Sequence, residues 1–118
     1  MRKVIVTGTS SGIGKATALK LLAENYKIIG LARTHNIKHI NYIPIFQDLA
    51  SLDNLSKCIE KILKENKNIV ALVSNAGEGV FENLENLSDK LIEDYYKLNL
   101  LSHMIITKKI IPYFKKNK

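Results

Sequence analysis

Thr7-Gly8-Thr9-Ser10-Ser11-Gly12-Ile13-Gly14 lies between an apolar run, Val4-Ile5-Val6, and a helix-forming run, Lys15-Ala16-Thr17-Ala18-Leu19-Lys20-Leu21-Leu22. A buried strand feeding a Gly-rich turn that opens a helix is the context in which such glycines bind phosphate. Gly8 lets the chain turn sharply off the strand. Gly12 lets backbone approach a pyrophosphate, and Gly14 lets the helix lie close on the sheet. The helix N-terminus then offers unpaired N–H groups and a partial positive charge. Ser10 and Ser11 add hydroxyls that could bond phosphate or cap the helix. Gly8, Ser10, Ser11, Gly12, Ile13 and Gly14 are therefore candidate cofactor-binding residues.

Outward from this turn, strands and helices alternate. Residues 3–7 form a β-branched run without alternation, as in a strand buried on both faces. Residues 12–24 carry Ala, Leu and Lys and predict a helix. Lys27–Ala32 is a second apolar strand, and Ile40–Phe46 a third. Pro44 removes a ladder donor, so the third strand belongs at an edge. Ser51 is a candidate N-cap with Asp53 in the first turn. Leu52, Leu55, Ile59, Ile62 and Leu63 recur at helical spacing behind it. Ile69–Val73 is a fourth strand, ending in Ser74-Asn75-Ala76-Gly77. A loop with Gly79 leads to Ser88, a second N-cap. A long helix then runs from Asp89 toward the end, with Pro112 expected to kink or shorten it. Only seven residues separate the second and third strands, whereas a parallel crossover needs about a dozen. Either the intervening helix is cut down to a loop or the strand ends are drawn too wide. The fold class is α/β: a Rossmann-like, doubly wound parallel sheet, truncated, of order 3-2-1-4.

Bulk composition narrows the classes. A chain of 118 residues, 46% apolar, suffices for one core without metal or disulfide support. Residues 1–118 read as a single, incomplete dinucleotide-binding domain. No apolar run approaches roughly 18 residues, so no membrane partner is expected. The first strand begins almost at once, leaving no room for a signal peptide, and the expected location is cytoplasmic. The single Cys58 excludes an internal disulfide and lies in a helical pattern as a small core or boundary residue. The net charge of +7 raises the question of nucleic acid. The lysines are dispersed and no aromatics interleave with them, so no nucleic-acid partner is expected. Locally basic Lys115-Lys116-Asn117-Lys118 suits a helix tail.

With Thr7-Gly8-x3-Gly12-x-Gly14, Asp48-Leu49 and Asn75-Ala76-Gly77 each following a strand, the sequence resembles the short-chain dehydrogenase/reductase family. The resemblance covers the whole chain but only the N-terminal half of the family pattern. It implies that Asp48 bonds an adenine ring with Leu49 beside it. It implies that Asn75, Ala76 and Gly77 hold the end of the fourth strand near the cofactor ribose. Asn99, in Lys97-Leu98-Asn99-Leu100, matches the asparagine of the family's Asn-Ser-Tyr-Lys tetrad and is the one candidate catalytic residue. A polar residue packed in a buried helix is the alternative for it.

The choice of cofactor has a physical basis. Folds that prefer NAD place an acid at the end of the second strand to accept from the ribose 2′-OH. Residues 26–47 contain neither Asp nor Glu, and Arg33 follows that strand end. A guanidinium there suits a 2′-phosphate, so NADP is favoured over NAD. His35 and His39 are spaced like a metal pair, but no third ligand is evident and no metal is expected. The family's catalytic Ser and its Tyr-x3-Lys pair have no counterpart in these 118 residues, because Tyr95, Tyr96 and Tyr113 are followed at that spacing by Asn99, Leu100 and Asn117. Ser102-His103 could suggest a hydrolase but falls in a nearly continuous apolar helix.

The expected function is the NADP-binding half of a reductase whose parent reaction moves hydride between NADP(H) and a carbonyl or alcohol, with weak or no turnover alone. The alternative is a non-catalytic dinucleotide-binding or dimerisation module. Ile69–Val73 would form an exposed edge. Leu98, Leu100, Leu101, Met104, Ile105, Ile106, Ile110 and Ile111 surround the last helix, which should be buried on more than one face. A homodimer through the 89–114 helix or the 69–73 edge is expected.

Overall fold

The computed structural model describes residues 1–78 and 82–117, so Gly79 and Lys118 lie outside the described residues. The strands are β1 (Lys3–Thr7), β2 (Lys27–Ala32), β3 (Tyr42–Phe46) and β4 (Ile69–Val73). The helices are α1 (Gly12–Ala23), α2 (Leu52–Glu65), α3 (Asp89–Tyr96) and α4 (Ser102–Lys116). A π-turn over Lys97–Leu101 joins α3 to α4, and a short 3₁₀ turn spans Leu84–Asn86. All strand pairs are parallel, in the order β3-β2-β1-β4, as expected.

Successive residues of a strand point to opposite faces, and here both faces are covered. Ile5, Ile29 and Leu31 meet Leu55, Ile59 and Ile62 of α2 and Ile106 and Ile110 of α4. Val4, Val6 and Ile28 meet Ala18 and Leu22 of α1 on the opposite side. Double coverage is why β1 and β2 are continuously apolar. Each fully buried Ile or Leu contributes about 1.5–3 kcal/mol by leaving water. Cys58 packs half-buried at the margin of the larger core, where burial pushes its thiol up and Lys61 partly opposes that shift.

Several expectations change. β3 begins at Tyr42 rather than Ile40, which is 92% exposed in the preceding turn. The β2–β3 connection over residues 33–41 holds no helix, so the crossover is cut down to a loop, and β3 alone starts later than expected. α1 ends at Ala23, with Asn25 in the left-handed region at φ 68°. Ser11 and Ser51 occupy N-cap positions, yet neither hydroxyl accepts a capping bond. Ser51 Oγ instead accepts from Asn54 Nδ2 at 2.9 Å. Ser88 does cap α3, accepting from Leu91 N–H at 3.1 Å. α4 continues through Pro112 to Lys116, so the proline does not shorten it. Burial of this helix on more than one face is not met within one chain. Ile106 and Ile110 are buried, whereas Leu100, Met104 and Ile111 stay exposed. No helix is long and apolar enough to cross a membrane among the described residues.

Pro44 sits on edge strand β3 opposite Gly30, where its missing donor is tolerated. Gly30 has a second task. A Cβ there would lie 2.7 Å from Tyr42 Cε1, so the absent side chain leaves room for the Tyr42 ring to cross beneath β2. The Tyr42 hydroxyl thereby reaches buried Thr9 Oγ1 at 2.7 Å and His35 Nδ1 at 2.5 Å. His35 Nε2 donates to Ile45 O at 2.9 Å. With Nε2 as the protonated nitrogen of the neutral ring, Nδ1 accepts from Tyr42, which accepts from Thr9.

Tyr42→Phe keeps the ring but orphans Thr9 Oγ1 and His35 Nδ1, and should cost about 1–3 kcal/mol in urea unfolding. Burial holds the Tyr42 phenol above its ordinary value, against the opposing Thr9 bond. The folded chain keeps this proton where the unfolded chain loses it. The contribution is therefore complete below pH of about 10 and declines as pH rises further. Alkaline unfolding curves of the Phe variant should lack that component of the decline.

Candidate functional site

A cleft of about 930 Å³ opens across the carboxyl ends of all four strands. This is where open α/β sheets bind ligands. Eleven of the thirteen residues singled out from the sequence line it: Gly8, Ser10, Ser11, Gly12, Ile13, Arg33, Asp48, Leu49, Asn75, Ala76 and Gly77. Gly14 and Asn99 stand behind its wall rather than in it.

The glycines do three different jobs. Gly8, at φ +74°, turns the chain off β1, and a Cβ there would lie 2.9 Å from Ala76 Cα. Gly12, at φ +58°, has open space beside it, so its backbone faces the cleft unobstructed. Gly14 is buried, and a Cβ would collide with Gly8 O and Asn75 Nδ2. α1 can approach the strand ends this closely because that side chain is missing. The α1 N-terminus therefore points bare N–H groups into the cleft, a cradle for an anionic group.

Thr7, which sequence reasoning passed over, ties the two sides together. Its fully buried Oγ1 accepts from Asn75 N–H at 2.9 Å and from Ala76 N–H at 3.0 Å. Asn75 Nδ2 reaches back to Gly8 O at 3.5 Å. His103 Nε2 donates to Ala76 O at 2.6 Å from α4, leaving Nδ1 buried without a partner. Ser102 Oγ donates to Leu98 O within its own helix turn, so Ser102 and His103 do not form a nucleophile–base pair. His39 Nδ1 accepts from Asn41 N–H, and His35 serves Tyr42, so the two histidines have separate partners. Among the described residues no cluster of three or more His, Cys, Asp or Glu is placed to hold a metal.

Asn99 lies in the π-turn, a distortion that often accompanies function. Its Oδ1 accepts from Glu78 N–H and its Nδ2 donates to Glu78 O, both at 2.8 Å. The amide thus grips the chain just beyond Gly77 at both its donor and its acceptor. Arg33 extends over the cleft to Glu78, with Nη2–Oε1 at 3.2 Å. Asp48 Oδ1 accepts from Ala50 N–H at 2.9 Å, shaping the turn into α2. Leu91, Asp94 and Tyr95 of α3 complete the far wall. Glu78 and these α3 residues had no sequence signal, because they meet Arg33 and the glycine turn only through the fold.

The pattern of the short chain dehydrogenase family matches residues 2–118. The chain belongs to that family. It is 31% identical over 131 residues to a benzil reductase ((S)-benzoin forming) of Bacillus cereus, covering all of this chain and 53% of that protein. It is 28% identical over 133 residues to an NADP-dependent 3-hydroxy acid dehydrogenase of Schizosaccharomyces pombe, covering 99% and 51%. The ligand-free structure of Thermoplasma acidophilum aldohexose dehydrogenase superposes with TM-score 0.84 at 34% identity, covering 96% of this chain and 44% of that one. The chain therefore spans about half the length of the curated relatives it matches. The cleft joins a glycine turn to a helix N-terminus, an arrangement that suits an anionic ligand.

Within this short chain dehydrogenase, Thr7→Val is close to isosteric and removes only the acceptor of two backbone N–H groups. We expect a loss of about 2–4 kcal/mol. It should show as a lowered urea midpoint by circular dichroism with an unchanged slope.

Proposed function

We propose that this chain forms the NADP-binding half of a short chain dehydrogenase/reductase whose parent reaction is hydride transfer between NADP(H) and a carbonyl or alcohol. The carrying observation is the cleft itself, where one open concavity joins the glycine turn, the bare α1 terminus and the Arg33 guanidinium. The pyrophosphate would lie on Gly12, Ile13 and the Ser10–Ser11 hydroxyls. Asp48 and Leu49 would flank the adenine, and Asn75, Ala76 and Gly77 the ribose on the far side. Arg33 would take the 2′-phosphate, in the place where NAD-preferring folds put an acid. A relative whose name specifies NADP supports the same choice. When bound, the nicotinamide would supply the hydride acceptor or donor.

This chain's residues bind and position rather than move protons. Asn99 uses its side chain to hold Glu78, which fixes the loop beyond Gly77. No Tyr-x3-Lys occurs in the 118 residues, so the paired phenol and ammonium that would protonate a substrate oxygen are not among them. We expect calorimetric titration to give saturable NADP binding, with NAD weaker. Arg33→Met should weaken NADP about tenfold and leave NAD nearly unchanged. A carbonyl panel with NADPH should show negligible oxidation at 340 nm. Tighter binding of NAD than NADP, or clear turnover, would refute this reading.

The second reading, a dimerisation module, is favoured by one surface. Ile92, Tyr96, Leu100 and Met104 recur at a spacing of four along α3, the π-turn and α4, each 42–58% exposed. Such an apolar stripe is a recognised mark of association. The β4 edge is the competing interface. Sedimentation velocity should show a dimer in the wild type. A folded monomer is expected for Met104→Glu, and a persistent dimer would move the interface to the β4 edge.

A further inference from the structure

Arg33 is already occupied. Its guanidinium pairs with the Glu78 carboxylate at 3.2 Å, and the two residues stand on opposite walls of the cleft. β2 and β4 are separated by β1 in the sheet, so the pair crosses above the glycine turn. The Asn99 amide holds the Glu78 backbone at both its N–H and its carbonyl, so the side chain starts from a fixed point beside the cleft. Its carboxylate makes no other hydrogen bond among the described residues. We infer that Glu78 is a specificity-determining residue: an internal counter-ion that competes with the 2′-phosphate of an adenine dinucleotide for Arg33. This rests on the reading of Arg33 as the 2′-phosphate partner.

The physical consequence is a difference between two ligands. A 2′-phosphorylated adenosine must draw Arg33 off Glu78 and then carry its own negative charge near that carboxylate. An adenosine with a free 2′-OH leaves the pair intact. Glu78 therefore weakens the phosphorylated ligand selectively and narrows the preference that Arg33 creates. The effect is modest, because the side chains of Arg33 and Glu78 are 69% and 49% exposed and water screens them.

The test uses the adenosine ends alone, 2′,5′-ADP and 5′-AMP, titrated calorimetrically onto the full chain. Glu78→Gln keeps the backbone that Asn99 holds and deletes only the charge. It should tighten 2′,5′-ADP roughly threefold and leave 5′-AMP unchanged. The gain should shrink as ionic strength rises above about 0.15 M. Unchanged 2′,5′-ADP affinity, or equal tightening of both nucleotides, overturns the inference. Arg33→Met separates the two levels. If it weakens 2′,5′-ADP selectively, Arg33 stands as phosphate partner whatever Glu78 does. If it leaves the ratio of the two nucleotides unchanged, the reading of Arg33 fails and the role of Glu78 falls with it.

Discussion

One buried hydroxyl links the parts of this structure that matter most. Thr7 Oγ1 accepts from two consecutive backbone N–H groups at the end of β4. Those groups lie just beyond the last residue of their strand, where the ladder no longer supplies acceptors. Left unpaired at that depth, each would cost about 1–3 kcal/mol. The bond therefore both satisfies them and pins the β4 end against the β1 end. Gly8 and Gly14 follow from the same constraint. With the strand ends drawn together, no Cβ fits at either position, and α1 settles where its N-terminus opens into the cleft.

The edge of the sheet is fastened by a comparable exchange of side chain for space. Gly30 gives up its side chain in the middle of β2, at a conformational cost to the strand. The gap admits the Tyr42 ring, and the hydroxyl at its tip meets Thr9 inside the glycine turn. A strand two places from β1 thus steadies the same turn that Thr7 anchors from the other side. His35 ends the chain of bonds on Ile45 O and carries the edge with it. The turn is held from both flanks by buried hydroxyls and is open only toward the cleft.

What was legible in the sequence was whatever the backbone itself demands. Glycines mark positive φ and close approach, and the apolar runs of β1 and β2 mark double burial. Pro44 marks an edge. These are local requirements, written where they act, and they mark the glycine turn and the edge strand; Asp48, Leu49, Asn75, Ala76 and Gly77 were named only through the family resemblance, and Arg33 through the missing acid after β2. Caps were less legible, because Ser11, Ser51 and Ser88 look alike in sequence and only Ser88 makes the bond. Contacts between side chains far apart in the chain left no trace. Thr7 with the Asn75 and Ala76 backbone, Tyr42 with Thr9, and Arg33 with Glu78 are pairs that nothing in the sequence joins, even where one member stood out alone. Their meaning comes from the fold that brings them together.

The long C-terminal helical arm shows the same division in one element. Leu98, Ser102, Ile106 and Ile110 recur at a spacing of four, and the last three are buried against the sheet. Ile92, Tyr96, Leu100 and Met104 recur at the same spacing on another face and stay exposed. Composition alone could not separate the two stripes, since both are apolar. The separation comes from the fold, which packs Ile106 and Ile110 into the core while the π-turn places Asn99 beside Glu78. The arm serves the cleft with one polar side chain, the core with one stripe, and presents the other stripe outward. The outward stripe is where the proposed dimerisation would act, and any partner seated there would press on the same arm that carries Asn99.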